Sequence, residues 1–140
     1  MSAFNPLQKV QELYAAFGRG DVPFIIKALA PNVTWSVDGP TDVPFFGDRR
    51  DQGGVVQFFQ EIGTQLDIQE FRPEQFFVQG DTVLVLGFER GRARASGKAF
   101  QGHWAHVFTF KNGQVAAFRE YCNSAAFADA LRAAPAAAAA

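Results

Sequence analysis

The sequence contains very little cysteine, and this excludes two ways of stabilising a fold. Cys122 is the only cysteine among 140 residues. A single thiol cannot form an internal disulfide bond, and no cysteines and histidines stand at the spacing of a metal site. We therefore expect no metal, and a chain of this length can bury a sufficient hydrophobic core without such staples. Cys122 itself is interpreted as a small buried residue.

An excess of charge of either sign is also missing. The chain has 13 basic and 14 acidic residues, a formal net charge of -1. Nucleic-acid-binding domains usually have a basic excess, so we expect no nucleic-acid partner. Long apolar runs are absent as well, and the short apolar stretch near the N-terminus is interrupted by Pro6, so neither a signal peptide nor a membrane span is recognisable. These absences predict a cytoplasmic protein without a membrane partner.

Phenylalanine, by contrast, is abundant. The chain has 16 Phe beside 2 Tyr and 2 Trp, with 48% hydrophobic and 19% charged residues. This composition is typical of a folded domain. A domain of this size accommodates only part of so many rings in its core. The surplus therefore predicts an apolar pocket or interface.

Helical periodicity occurs mainly in the first half of the chain. Apolar residues at steps of three and four predict a helix over 4–19, and Asn5 and Pro6 begin it. Asp21 caps a second, short helix, and a third is predicted at about 51–63. Residues between the first strand and this third helix are predicted to form a loop, and a final helix, capped by Asn123 or Ser124, follows the last strand.

Alternating apolar and polar residues predict five strands. In the first of them Val33, Trp35 and Val37 alternate with polar residues, and Asn112-Gly113 between the last two is the strongest hairpin signal. The predicted strands cover 32–38, 66–78, 81–94, 99–111 and 114–122.

The order of these elements predicts one α+β domain over residues 1–132, with helices packed on an antiparallel sheet. The alanine-rich tail, residues 133–140, is expected to be disordered. Bulges and glycines would allow the sheet to curl around a cavity. The available glycines are Gly87, Gly91, Gly97 and Gly102.

Three segments in this order resemble the SnoaL-like branch of the nuclear transport factor 2-like superfamily, which includes ketosteroid isomerase and polyketide cyclases. They are VQELYAAFGRGDVPFIIKALAPNVTW, PFFGDRRDQGGVVQFF and HVFTFKNGQVAAFREYCNSA, and the resemblance covers about residues 5–125. It implies a cone-shaped, cystatin-like α+β barrel: a curved antiparallel sheet, three helices from the N-terminal half and a short C-terminal helix. It also implies an internal pocket, no metal or cofactor, and often a homodimer formed through the sheet.

The resemblance also implies roles for three residues. Tyr14 falls where ketosteroid isomerase has the tyrosine of its oxyanion hole, and Asp38 lies near the position of its general base. Strand alternation, however, places Asp38 opposite Trp35, so a solvent-facing aspartate is the alternative. His106 stands where the isomerase has a protonated aspartic acid, a departure that replaces a neutral acid by a hydrogen-bond donor or a base. Core packing is the alternative for the tyrosine and the histidine.

Strand alternation adds Glu120 as a fourth catalytic candidate. If Phe118 faces the interior, Glu120 does so too, and a buried glutamate needs a partner. His106 on the adjacent strand is the candidate partner, and the two would form an acid–base dyad. An ion pair with an arginine at the rim is the alternative, and Glu89 on another strand could supply the same carboxylate.

Aromatic side chains on the strands, on the third helix and in the loop are expected to line the pocket. Phe45 and Phe46 lie in the predicted loop and are expected to cover the mouth of the cavity. His103 is assigned to the opposite strand face from His106, and Arg90, Arg92 and Arg94 are interpreted as a solvated or dimer-facing row. The predicted substrate-binding residues are Trp35, Phe45, Phe46, Phe59, Trp104, Phe108 and Phe118.

Three functions are compatible with these residues, because the fold hosts several activities. The first is an isomerase or cyclase that transfers a proton on a small hydrophobic carbonyl compound, with Asp38, Glu120 or His106 as the base and Tyr14 or His106 stabilising the enolate. The second is a non-catalytic module for apolar-ligand binding or dimerisation. The third is an epoxide-type hydrolase, which would need an arginine, such as Arg92 or Arg94, between two carboxylates.

Overall fold

The structure is a computed structural model that describes residues 4–135, so residues 136–140 of the alanine tail lie outside the described residues. The helices and strands follow one another in the order predicted, with one additional strand. They are α1 (Pro6–Gly18), α2 (Val22–Lys27), β1 (Leu29–Val37), β2 (Gly47–Arg50), α3 (Asp51–Gln65), β3 (Leu66–Gln79), β4 (Thr82–Ala93), β5 (Ala99–Lys111), β6 (Gln114–Tyr121) and α4 (Ser124–Arg132).

The six strands form one curved, unclosed sheet in the order β2-β1-β6-β5-β4-β3. Strands β3 to β6 are an antiparallel meander, as predicted, whereas β1 pairs with β6 in parallel and with β2 in antiparallel orientation. The parallel pair departs from the prediction of a wholly antiparallel sheet, because alternation within a strand does not determine which strand becomes its neighbour. Strand β2 was missed because its sequence, GDRR, has no apolar alternation.

Side-chain caps begin three of the helices where the sequence predicts them. Asn5 accepts a hydrogen bond from the backbone N–H of Gln8 at 3.1 Å. Asp21 and Asn123 accept corresponding bonds from the third residue of their helices. Each cap satisfies a backbone donor that the first helical turn leaves without a partner.

Two glycines of β4 lie beside irregularities that bend the sheet. The register of β3 against β4 shifts once near Gly91 and once near Gly87. A methyl group on Gly87 would clash with the ring of Trp104, and one on Gly91 would clash with the carbonyl oxygen of Asp67. Because these backbones approach so closely, only residues without a side chain fit at the two positions. The bend therefore depends on bulges opposite glycines, as the sequence suggests.

The core lies between the helices and one face of the sheet. Buried apolar residues from all four helices and from every strand except β2 form a single cluster. The opposite face of the sheet carries exposed side chains, among them Leu86 and Tyr121. Within residues 4–135, no helix is both long enough and apolar enough to span a membrane.

Candidate active site

A cavity opens between the helices and the concave core face of the sheet. It has a volume of about 780 Å³ including the solvent at its opening, which is in the range of small-molecule sites. Most of its 21 lining residues are aliphatic or aromatic. The ionisable side chains among them are Tyr14, Glu89, His106 and Glu120. The cavity is thus an apolar enclosure with a small group of polar side chains.

The strand register brings two of these polar residues together. His106 on β5 is the direct cross-strand partner of Glu120 on β6, and Glu120 in turn pairs with Val37 on β1. Directly paired residues project from the same face of a sheet. The side chains of His106 and Glu120 therefore enter the cavity side by side.

Hydrogen bonds join three of the polar side chains into a relay. Nε2 of His106 lies 3.0 Å from Oε1 of Glu120, and Nδ1 of His106 lies 2.8 Å from the Tyr14 hydroxyl. An ionised carboxylate only accepts hydrogen bonds, so the Nε2 position must carry the proton. Nδ1 then accepts a hydrogen bond from the hydroxyl of Tyr14. Only 6% of the His106 side chain and 15% of the Glu120 side chain are exposed, so the relay is shielded from solvent.

Burial shifts the proton affinity of three neighbouring groups in the same direction. It raises the pKa of the Tyr14 hydroxyl far above its usual value, and the charge of Glu120 adds to the effect. The same two causes, in the same order, raise the pKa of Glu89. Burial, with the nearby carboxylates of Glu120 and Glu89, also raises the pKa of the Cys122 thiol. Tyr14 and Cys122 therefore stay protonated at neutral pH, which makes Tyr14 a donor and Cys122 a poor nucleophile.

Aromatic rings fix the orientation of the imidazole. The ring of Trp104 stacks on His106 with centroids 3.9 Å apart, and Phe118 meets it edge-on at 4.9 Å. Tyr14 lies nearly parallel to His106, at 5.9 Å. These contacts leave the imidazole little freedom to rotate, so its two nitrogens keep their hydrogen-bond partners.

Five of the seven predicted binding residues line the cavity. They are Trp35, Phe45, Phe59, Phe108 and Phe118. Trp104 does not line it, because its ring lies behind His106 and also contacts Phe71. Phe46 does not line it either, since it packs behind Phe45 and against Phe127. Both residues support the wall from outside.

Asp38 lies outside the cavity, which corrects the prediction that it belongs to the catalytic group. It follows Val37, the last residue of β1, which faces the cavity. No bulge turns Asp38 inward. Its half-exposed carboxylate instead forms an ion pair with Arg119 at 2.6 Å. The alternation of the strand therefore decides the direction of this side chain.

The predicted arginine row lies on the exposed surface. Arg90 donates to Glu70, while Arg92 and Arg94 donate to backbone carbonyls. Among the described residues, no arginine or lysine lines the cavity, so the carboxylate–arginine–carboxylate arrangement of an epoxide-type hydrolase is not formed there. His103 contacts Phe88 on the outer side of the sheet. Residues 4–135 also contain no cluster of three side chains suited to a metal ion.

Sequence reasoning missed four aromatic residues of the cavity wall: Phe17, Phe58, Phe71 and Phe127. Phe71 lies on β3, where the bulge after Ile68 reverses the alternation, so a strict period of two assigns it to the wrong face. Phe127 comes from α4, which packs against the loop that holds Phe45. The cap at Asn123 and the apolar periodicity predict this helix, but they do not predict where it packs.

The comparison with protein families agrees with this geometry. Residues 10–118 match the SnoaL-like domain. The chain belongs to this family, a branch of the nuclear transport factor 2-like superfamily, which confirms the resemblance. No curated protein matches the chain.

Solved structures share the fold over almost the whole chain. An NTF2-like protein of unknown function from Burkholderia pseudomallei is 30% identical, with a TM-score of 0.85, covering 95% of this chain and 100% of its own. TerC, co-crystallised with polyporic acid, is 21% identical, with a TM-score of 0.81 and coverage of 91% and 98%. A provisionally named isomerase from Rhodopseudomonas palustris is 19% identical, with a TM-score of 0.75 and coverage of 92% and 96%. The predicted α+β fold is thereby confirmed.

Proposed function

We propose that this chain is a small-molecule enzyme of the isomerase or cyclase type, which transfers a proton on a hydrophobic carbonyl compound. The observation that carries the proposal is the hydrogen-bonded relay of Tyr14, His106 and Glu120 inside an apolar cavity. Its residues offer a base, a group that stabilises the charged base, and a donor for a developing negative charge. Proton transfer next to a carbonyl needs these three parts.

His106 is the proposed base. Glu120 holds the proton on Nε2, so the lone pair of Nδ1 is directed towards Tyr14 in the cavity. Nδ1 takes a proton from the carbon next to the ligand's carbonyl, and the electron pair of that C–H bond moves into the enolate. Glu120 stabilises the resulting imidazolium, as carboxylates do in other histidine dyads. The imidazolium then returns a proton, either the one it took or one exchanged with solvent, to another carbon, and this completes an isomerisation with no change in charge.

Tyr14 is the proposed donor to the enolate oxygen. Its raised pKa keeps the hydroxyl protonated, so it can donate a hydrogen bond but cannot serve as a base near neutral pH. When a ligand's carbonyl oxygen replaces Nδ1 as its acceptor, the hydroxyl stabilises the charge that develops there. The surrounding apolar side chains exclude water, which strengthens this interaction.

Exchange of α-protons on 2-tetralone, a hydrophobic cyclic ketone, tests the proposal. We expect the protein to accelerate the incorporation of deuterium from D₂O next to the carbonyl, followed by proton NMR. Substitutions His106→Ala, Glu120→Gln and Tyr14→Phe are expected to slow the catalysed exchange roughly 100-fold or more, because each removes one part of the relay.

Two variants with matched chemistry serve as controls. Asp38→Asn removes the carboxylate that lies outside the cavity, and Tyr121→Phe removes the hydroxyl of an exposed tyrosine. Both variants are expected to catalyse the exchange of α-protons on 2-tetralone at the wild-type rate. Unchanged exchange in His106→Ala and Glu120→Gln would refute their roles. Binding of 2-tetralone without any catalysed exchange would favour the non-catalytic binding module instead.

A further inference from the structure

Glu89 is a second acidic side chain in the cavity, and the relay does not use it. It lies on β4, where its direct neighbours are Phe71 on β3 and Gly102 on β5. The residue is only 5% exposed, yet it lines the cavity. The two causes that raise the pKa of Glu89 are burial and the charge of Glu120, and no hydrogen bond or cation within residues 4–135 is among them. The oxygens of Glu89 are not among the fully enclosed polar atoms that lack a partner, so they reach the space of the cavity, where a ligand can hydrogen-bond to them.

The charges around the cavity restrict what that ligand can be. The described lining contains two glutamates, Glu89 and Glu120, and neither a lysine nor an arginine. A ligand carboxylate or phosphate would lose its hydration on entry and would find no cation in return. It would also add a like charge close to Glu120. An uncharged ligand avoids both costs.

We propose that Glu89 is a specificity-determining residue, which donates a hydrogen bond to an uncharged oxygen of the ligand, in a cavity where the charge of Glu120 and the lack of a lysine or arginine in the described lining disfavour a ligand carboxylate or phosphate. This inference rests on the proposed function, because it defines the ligand class of the same cavity. It adds a contact that is separate from the relay. Glu89 would orient the ligand, while His106 and Tyr14 would act at the reacting carbonyl.

The protonation of Glu89 is consistent with this role. Burial, and secondarily the charge of Glu120, raise its pKa well above the usual value. A carboxyl group with a raised pKa holds its proton to higher pH, and in that form it can donate a hydrogen bond. An amide in the same place can also donate, whereas an aliphatic side chain cannot. Glu89→Gln and Glu89→Leu therefore separate hydrogen bonding from mere filling of space.

Three naphthalene probes with the same ring test the inference, with dissociation constants measured by NMR titration at neutral pH. They are 2-acetylnaphthalene, 2-naphthoate and 2-ethylnaphthalene, which carry a ketone, a carboxylate and no polar group. We expect the wild-type protein to bind the ketone at least roughly tenfold more tightly than the carboxylate. Glu89→Gln is expected to retain the affinity for the ketone. Glu89→Leu is expected to lose roughly tenfold of it and to bind 2-ethylnaphthalene as the wild-type protein does.

Either of two results would overturn the inference. One is equal affinity of the wild-type protein for the carboxylate and the ketone, and the other is full affinity for the ketone in Glu89→Leu. Failure of all three probes to bind would overturn it as well. The test does not depend on catalysis: charge selection without exchange of 2-tetralone would contradict the proposed function and leave the inference on Glu89 standing.

Discussion

Glu89 links the stability of the fold to pH. Its pKa lies well above the ordinary 4.5, first because of burial and second because of Glu120. Over the interval above 4.5 the folded chain therefore binds more protons at this site than the unfolded chain does. The contribution of Glu89 to the free energy of unfolding must fall as the pH rises through this interval.

Replacement by a residue that does not titrate makes this contribution measurable. We expect Glu89→Gln to weaken the decline in stability above pH 4.5, because glutamine has no proton to lose. Urea denaturation at a series of pH values, followed by circular dichroism, gives the free energies of unfolding. Parallel curves for the wild-type protein and Glu89→Gln would contradict the expected linkage.

Individual site residues could be predicted when strand alternation and the resemblance agreed. His106 satisfies both, Glu120 was predicted from alternation alone, and the structure places the two as hydrogen-bonded cross-strand neighbours. For Asp38 alternation and the resemblance disagreed, and alternation was the better guide, because one step along a strand reverses the side of the sheet. Trp104 projects from the predicted face of β5, but its ring stacks on the imidazole of His106 and does not line the cavity. Packing depth of this kind is a tertiary property that no local pattern contains.

At the scale of the elements, the bend of the sheet depends on the close approach of β3 to Gly91. Gly91→Ala is expected to destabilise the fold by roughly 1–3 kcal/mol, because the added methyl group would clash with the backbone of Asp67. Gly63 in α3 is the matched control, since a methyl group there would meet no neighbouring atom. Gly63→Ala is expected to stabilise the protein by about 0.5–1 kcal/mol through helix propensity.

Thermal or urea unfolding of both variants measures these opposite effects. A Gly91→Ala protein as stable as the wild type would show that the sheet can bend without the close approach. The sequence offers Gly91 as one of several glycines that would allow the sheet to curl, but it does not show how closely another strand approaches it. The register of β3 on β4 shows that Gly91 is needed, whereas Gly63 in α3 can be replaced.

The bounds of most elements follow from local chemistry. The predicted strand 99–111 coincides with β5, and the caps begin the helices as expected. Strand β1 begins earlier than predicted, at Leu29, because its backbone pairs with β6 at this residue. Such pairing and the short strand β2 depend on neighbours that are distant in sequence. These are the parts of the fold that local patterns do not predict.

At the scale of the whole molecule, assembly through the outer face of the sheet stays a prediction. Leu86 and Tyr121 on this face are 36% and 48% exposed. We expect sedimentation equilibrium to give twice the chain mass of 15.3 kDa, and the double substitution Leu86→Lys, Tyr121→Lys to give the mass of one chain, because the charges would repel across a symmetric interface. Gln11→Lys, on the exposed side of α1, adds a positive charge away from this face and should leave the mass unchanged.

The parallel pairing of β1 with β6 also has a consequence for the order of folding. Strands β3 to β6 are joined by short connections, so they can pair after closing only small loops. Strand β1, in contrast, must find β6 across most of the chain, and pairings of such high contact order form slowly. We therefore expect the meander to bring His106 and Glu120 together early, while β1, which carries Trp35 and Val37, pairs with β6 late. The pair of His106 and Glu120 would form in water first, and the apolar enclosure that defines its chemistry would be completed last.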